Sequence, residues 1–218
     1  MSNTTTHKLP HLLAIVLGVC GALMLVLGIS IYAMTSSQLG SQQITVASFN
    51  HSSTPNGSNA GKTIRGPFTA LSQIKAIENH MRQAGQTATG GTSDPNTGAV
   101  TGGDTGITYG NAPTLSLDAQ GNCTGTSALW TDPAGMGTVQ CSAAGQPPVV
   151  TGSVNPTALA GVRNTLMTGS FLVSSLYVSV LACGVSALIA GLGLLFIVVC
   201  VMGVKLAGKH EPTAGPVA

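Results

Sequence analysis

Two long stretches without a charged side chain limit what this chain can fold into more than anything else in it. From Leu12 to Tyr32, twenty-one residues (LLAIVLGVCGALMLVLGISIY) pass without Asp, Glu, Lys or Arg, and from Phe171 to Val204 another thirty-four do so. The hydrocarbon core of a bilayer is about 30 Å thick and takes about twenty helical residues to cross, so each stretch can supply a span. A buried core helix is the competing reading of the first stretch, but no other part of the chain is large and apolar enough to enclose it. A cleaved signal peptide is the other competitor, with Lys8 as its positive start and Ile31-Tyr32-Ala33 as its cleavage site. The apolar run exceeds the roughly 7–15 residues of such peptides, which favours an anchor. As a helix the second stretch would measure about 51 Å, so part of it must stand outside the hydrocarbon. Ser170, Ser174, Ser175, Tyr177 and Ser179 make its early turns the more polar, and the span is expected near Val180 to Val204.

Composition agrees with this placement. Only 6% of the 218 residues are Asp, Glu, Lys or Arg, and 44% are hydrophobic, whereas soluble domains carry about 25% charged residues. The eight Lys and Arg are scattered and the formal net charge is +2, so there is no basic stripe for phosphates and nucleic acid is excluded as a partner. Lys8 precedes the first stretch, Lys205 and Lys209 follow the second, and on the loop side only Arg163 lies close in sequence. By the positive-inside rule both termini are cytoplasmic. The expected organisation is a cytoplasmic N-terminus over 1–10, a transmembrane helix over 11–34, an extracytoplasmic loop over 35–170, a helix over 171–204 continuing into the second span, and a cytoplasmic C-terminus over 205–218. The helices are expected to meet through small residues, Gly21 and Gly28 on the first, and Ala182, Gly184, Ser186, Ala190 and Gly191 on the second, because small side chains let helices approach closely in lipid.

Within the loop, Ile44–Val46 alternates weakly like a strand, and the polar run Asn50 to Lys62 reads as loop. A helix is expected over about 69–84, with Ala70, Ile74, Ile77 and Met81 on one face and Gly85 as its stop. A second, over 156–170, is signalled by Asn155 as cap and Pro156 in the first turn, with Leu159, Val162 and Leu166 on one side. Each is expected to bury the other's apolar stripe. Residues 86–112, rich in Gly and Thr, are expected to be a mobile linker with a turn at Pro95-Asn96-Thr97-Gly98. Residues 113–152 suggest a small lobe of short strands, Thr114–Leu117, Ser127–Trp130 and Gly137–Cys141, without the apolar mass for its own core. Cys123 and Cys141 are the cysteines outside the spans, and in an oxidising compartment they are expected to form a disulfide. Cys20, Cys183 and Cys200 are expected to act as small apolar side chains.

No nucleophile, phosphate-loop or zinc-protease pattern occurs. His51, Glu78 and His80 are the candidates for a two-histidine, one-carboxylate iron site. On a helix Glu78 and His80 point about 200° apart, so a shared ion is not expected, nor is any other cofactor or catalytic residue. The N-glycosylation pattern recurs at Asn50-His51-Ser52, Asn56-Gly57-Ser58 and Asn122-Cys123-Thr124, and matters only in a eukaryotic host.

The segment Gln43-Ile44-Thr45-Val46, the run Ala60 to Ala70 containing Gly66-Pro67-Phe68-Thr69, the following Gln73 and Ile77-Glu78-Asn79-His80, and the stretch from Ser170-Phe171-Leu172 through Gly184-Val185-Ser186-Ala187 and Gly191-Leu192-Gly193 resemble an actinobacterial family of small two-span membrane proteins. Its members often bear the label "aromatic ring-opening dioxygenase LigA". The resemblance covers both spans and the two flanking helices, but not residues 90–154, which look like an insertion. It implies the plasma membrane of a bacterium and a role in the cell envelope. The expected fold is therefore a mainly α membrane protein with two transmembrane helices, an extracytoplasmic helix pair and a small disulfide-closed β-like insertion. The expected function is a non-enzymatic scaffold or accessory subunit of a membrane complex. Its partners are the lipid bilayer and either other membrane proteins or further copies of the chain. The alternative is an extracytoplasmic sensing module whose lobe, with Trp130, recognises a ligand; an oxygenase is the third reading, from the family label alone.

Overall fold

The computed structural model describes residues 8–46, 59–95 and 99–208. Asn50-His51-Ser52, Asn56-Gly57-Ser58, Lys209 and the Asn96-Thr97-Gly98 part of the expected turn lie outside them. The described chain is mainly helical, with a small disulfide-linked β insertion.

Helix α1 spans Lys8–Ser41, α2 Pro67–Ala88 and α3 Pro156–Gly208. α1 over Leu12–Tyr32 and α3 from Val180 onward are apolar on all sides rather than along one stripe, as expected of helices that no soluble core surrounds. Both are long and apolar enough to cross a membrane. α3 starts where the cap places it: Asn155 Oδ1 accepts a hydrogen bond from the Ala158 N–H at 3.2 Å, with Pro156 in the first turn. From there it continues without a break for 53 residues, about 80 Å.

The chain divides into two compact units. The first contains α1, Gln42, Arg65–Pro67 and α3 from Ser179 onward; the second contains Gln43–Ile64 and Phe68–Val178. The boundary on α3 falls beside Val180, where the polar early turns give way to the expected span.

In the second unit, α2 and the first turns of α3 share a core with the β insertion. β1 (Thr92–Ser93) and β2 (Val100–Thr101) form an antiparallel hairpin, and β3 (Trp130–Thr131), β4 (Gly137–Gln140) and β5 (Val149–Gly152) form an antiparallel meander. The buried cluster draws Ala88 from α2, Ile107, Ala112 and Leu115 from the stretch that follows it, Cys123, Val139 and Cys141 from the insertion, and Leu159, Val162 and Leu166 from α3. The lobe expected to lack a core thus uses the apolar faces of both helices. The weak strand signal at Ile44–Val46 resolves into a bridge between Thr45 and Thr63, flanked by hydrogen bonds from Val46 N to Lys62 O and from Ile64 N to Ile44 O, both 2.9 Å. Val46 and Ile64 are almost completely buried.

Three local expectations need correction. Residues 86–112, expected as a linker, are folded where described: Ile107 and Ala112 lie in the core, and Thr89 is fully buried with its Oγ1 accepting the Asp104 N–H. Gly85 does not stop α2. It sits on the buried face, where a Cβ would come within 3.4 Å of Ile107 Cβ and 3.5 Å of Asp104 O, so its missing side chain permits a close approach. The stop is Gly90, at φ 96°, with Gly91 N donating back to Gln86 O at 2.7 Å in a Schellman-type closure. Thr114–Leu117 forms no strand; Leu117 makes only an isolated bridge to Cys123, because a tight turn at Asp118–Asn122 sends the chain straight back. β5 is an addition to the strands expected from the sequence, and it begins directly after Pro147-Pro148.

Candidate functional site

Two features are built well enough to carry function: a seam between α1 and α3 in the first unit, and a cleft between α2 and α3 in the second. The seam is made of backbone against backbone. A Cβ at Gly28 would stand 2.7 Å from both Ala190 N and Ser186 O, and one at Gly21 2.7 Å from Gly193 O. Gly193 is equally hemmed in, its Cβ position lying 2.6 Å from Gly21 O and 2.7 Å from Leu25 N. At the far end a Cβ on Gly18 would be 2.9 Å from Cys200 Sγ. Such proximity is the packing mode open to helices in lipid, where dispersion and close approach replace the hydrophobic effect. Ser186 is fully buried in the seam, its hydroxyl donating to Cys183 O at 2.8 Å.

The seam selects among the small residues expected to form it. Gly21, Gly28, Ser186 and Ala190 lie in it and Ala182 is half-buried one turn before Ser186, whereas Gly184 and Gly191 are exposed with open space where a Cβ would be. The reason is helical phase. The contact face follows Ser186, Ala190, Gly193, Ile197 and Cys200, in steps of four and three, and Gly184 and Gly191 fall about 200° and 100° away from its nearest members. Gly18, Gly193 and Cys200 were missed, although the same alternation of four and three among small residues would have found them.

In the second unit the Cys123–Cys141 disulfide is formed, with the Cα atoms 5.7 Å apart, and both residues are buried. Trp130 is half-buried against the core and its Nε1 donates to Asn111 O at 2.6 Å. Its polar edge is therefore engaged within the fold and not offered to a ligand. Arg163, on α3, donates from Nη1 to Ala112 O at 3.1 Å and stacks over the Tyr109 ring at 4.5 Å, tying the insertion to the helix. Asp132 is buried; its Oδ2 accepts the N–H groups of Ala134 and Met136 at 3.1 and 3.0 Å and shapes the β3–β4 turn.

The cleft runs between α2 and α3 and has a volume of about 480 Å³. Gln73, His80, Asn164, Thr165 and Thr168 supply its polar wall, Ile77, Met81 and Leu172 its apolar one. The helices touch at one end of it, where a Cβ on Gly169 would collide with Met81 Sδ and approach Ile77 Cγ2 to 3.4 Å. A second hollow of about 330 Å³ continues past His80 and Thr165 toward Gln83 and Thr87. Glu78 and His80 are both exposed, and His51 lies outside the described residues. No group of three or more His, Cys, Asp and Glu side chains among the described residues is placed to hold a metal ion.

In the segment that carries the family resemblance, Gly66 precedes α2, Pro67 opens it and Thr69 is half-buried, while Phe68 stands 79% exposed. Comparison with protein-family models, with curated proteins and with solved structures finds no match to this chain.

Proposed function

We propose that this chain is a non-enzymatic two-pass protein of a bacterial plasma membrane. In this reading both termini are cytoplasmic and the insertion lies outside, and the chain serves as a scaffold or accessory subunit of a membrane complex. The observation that carries the reading is the contrast on α1 and α3 between a seam of close-packed backbones and a surface of exposed large apolar side chains, among them Leu12, Val19, Val26, Leu181, Leu188 and Leu194. Such a surface is stable against lipid or against other apolar helices and unstable against water. The actinobacterial resemblance supports the envelope setting. Extraction from native membranes in mild detergent, followed by mild crosslinking and mass spectrometry, tests the role: partner proteins or further copies of the chain should co-purify. A lone monomer under these conditions would remove the scaffold. Iron at stoichiometric level in the purified protein would restore the oxygenase that the family label names.

The cleft between α2 and α3 favours a second reading, an extracytoplasmic binding module. Its volume falls within the roughly 300–1,000 Å³ of small-molecule sites, and its wall of amide, hydroxyl and imidazole groups beside Met81 and Leu172 suits a neutral amphipathic ligand. The bound ligand would be held by two helices rather than by Trp130.

A further inference from the structure

We propose that Phe68, with Leu71 behind it, inserts into the bilayer surface on the side of the insertion and anchors the start of α2 there. Such an anchor goes beyond the scaffold role and rests on the two-span reading. Phe68 is 79% exposed, more than any described large apolar side chain of α1 or α3, the highest of which is Val178 at 67%. The core has no use for it: α2 buries Ala70, Ile74 and Ala76, and Phe68 points about 200° away from Ala70. Along the exposed face Phe68, Leu71, Lys75, Glu78 and Arg82 succeed one another in steps of three and four, so this face is apolar over its first turn and charged from there on. A helix lying flat on a membrane separates apolar from charged residues around its axis. α2 separates them along its axis, as suits a helix standing with its start in the bilayer.

The depth of Phe68 agrees. α2 and the first turns of α3 run antiparallel: Asn155 N donates to Ala88 O at 2.8 Å at one end of the pair, and farther along a Cβ on Gly169 would approach Ile77 Cγ2 to 3.4 Å. Phe68 lies nine residues before Ile77 and Val178 nine residues after Gly169, so the two share a level. Val178 is about 3 Å outside Val180, where the span is expected to begin, and thus within the roughly 5–8 Å of a headgroup layer. The Cα–Cβ bond of Phe68 leans toward the start of its helix, which aims the ring at the hydrocarbon. Lys75, about 10 Å farther along α2, is past the headgroups and in water. The connection to α1 gives the same level. Phe68 is two residues, at most about 7 Å, from Gly66, whose Cβ position lies 3.8 Å from Tyr32 Oη at the end of the first apolar run. A second protein is the rival occupant, but it gives no reason for the face to change from apolar to charged at the depth where headgroups end.

Fluorescence quenching of the full chain in phosphatidylcholine nanodiscs tests this. The wild type, whose one tryptophan is Trp130, supplies the baseline, and Phe68→Trp, Leu71→Trp and Glu78→Trp each add an indole at an exposed position. Lipid brominated near the top of its acyl chains should quench the indole added by Phe68→Trp several-fold more than that added by Glu78→Trp, with Leu71→Trp between them. Iodide in the water should give the reverse order. Iodide quenching alike in all three variants, without quenching by bromine, overturns the anchor. Equal bromine quenching in all three lays α2 flat on the bilayer and overturns the upright arrangement. An indole from Phe68→Trp that neither quencher reaches overturns the lipid as occupant and assigns the face to a partner protein. Release of the chain from its native membranes by alkaline carbonate overturns the two-span reading itself, whereas an embedded chain whose Phe68→Trp indole meets iodide and not bromine overturns only the anchor.

Discussion

Gly28 has no room for a side chain, because Ala190 N and Ser186 O stand 2.7 Å from where its Cβ would be. Forcing atoms into a packed contact costs about 1–3 kcal/mol, and here the obstacle is backbone that cannot rotate aside. The seam also supplies its own reporter. The Cβ position of Gly18 lies 3.6 Å from Cys200 Cβ, within the roughly 3.5–4.5 Å that a disulfide needs. Gly18→Cys should therefore crosslink to Cys200 on mild oxidation, holding the two ends of the chain together on a non-reducing gel after trypsin cuts between the spans. Added to that background, Gly28→Leu should lower the crosslink yield several-fold while Gly184→Leu leaves it unchanged; equal yields would contradict the seam. At this scale the sequence showed which residues are small but not which of them face the partner helix. A phase error of one or two positions turns a residue 100° or 200° away, and periodicity in an all-apolar helix carries no polar face to set the phase.

At the scale of elements, the disulfide and the helix pair hold the insertion together with the Arg163 contacts. Closing a loop between positions 18 residues apart contributes about 3 kcal/mol through loop-closure entropy. Replacing both Cys123 and Cys141 by Ser should cost about that much. The loss should be read as faster protease cleavage in the exposed stretch 142–147, while the Gly18→Cys crosslink to Cys200 persists. The helix pair predicts that Met81→Cys with Gly169→Cys crosslinks readily, since Gly169 leaves no gap to Met81; failure of this pair and of its neighbours would show the two helices apart. α2 was legible because Ala70, Ile74, Ile77 and Met81 repeat at helical spacing, and α3 because its Asn-Pro start is a local signal. The end of α2 was not, since Gly85 and Gly90 look alike in sequence and only the packing of Ile107 and Asp104 against one of them tells them apart. The fold of residues 86–112 was invisible for a related reason. Its buried contacts are few and widely separated in the chain, and its Gly, Thr and Asp residues are ordered by hydrogen bonds such as that from Asp104 N to Thr89 Oγ1.

For the whole molecule, the proposed topology makes a direct prediction. Protease added to intact cells should cut within residues 36–154 and spare His7 and His210, and the reverse pattern would turn the orientation over. Arg65 enters that argument, because the structure brings it against α1 although it is remote from the span in sequence. It adds a second cation to Arg163 on the loop side, and Lys8, Lys205 and Lys209 outnumber the pair by one. The sequence by itself determined that two helices would be apolar all round, that a polar insertion would separate them and that two cysteines would lie outside them. Transfer energy depends on composition and length, which any order of contacts leaves unchanged. Only the tertiary structure decided which glycines touch, where the insertion finds its core, that Trp130 is turned inward, and that Arg65 lies along Gly40. Each of these depends on residues tens of positions apart meeting at distances of a few ångströms, and one-dimensional patterns carry no information about such distances.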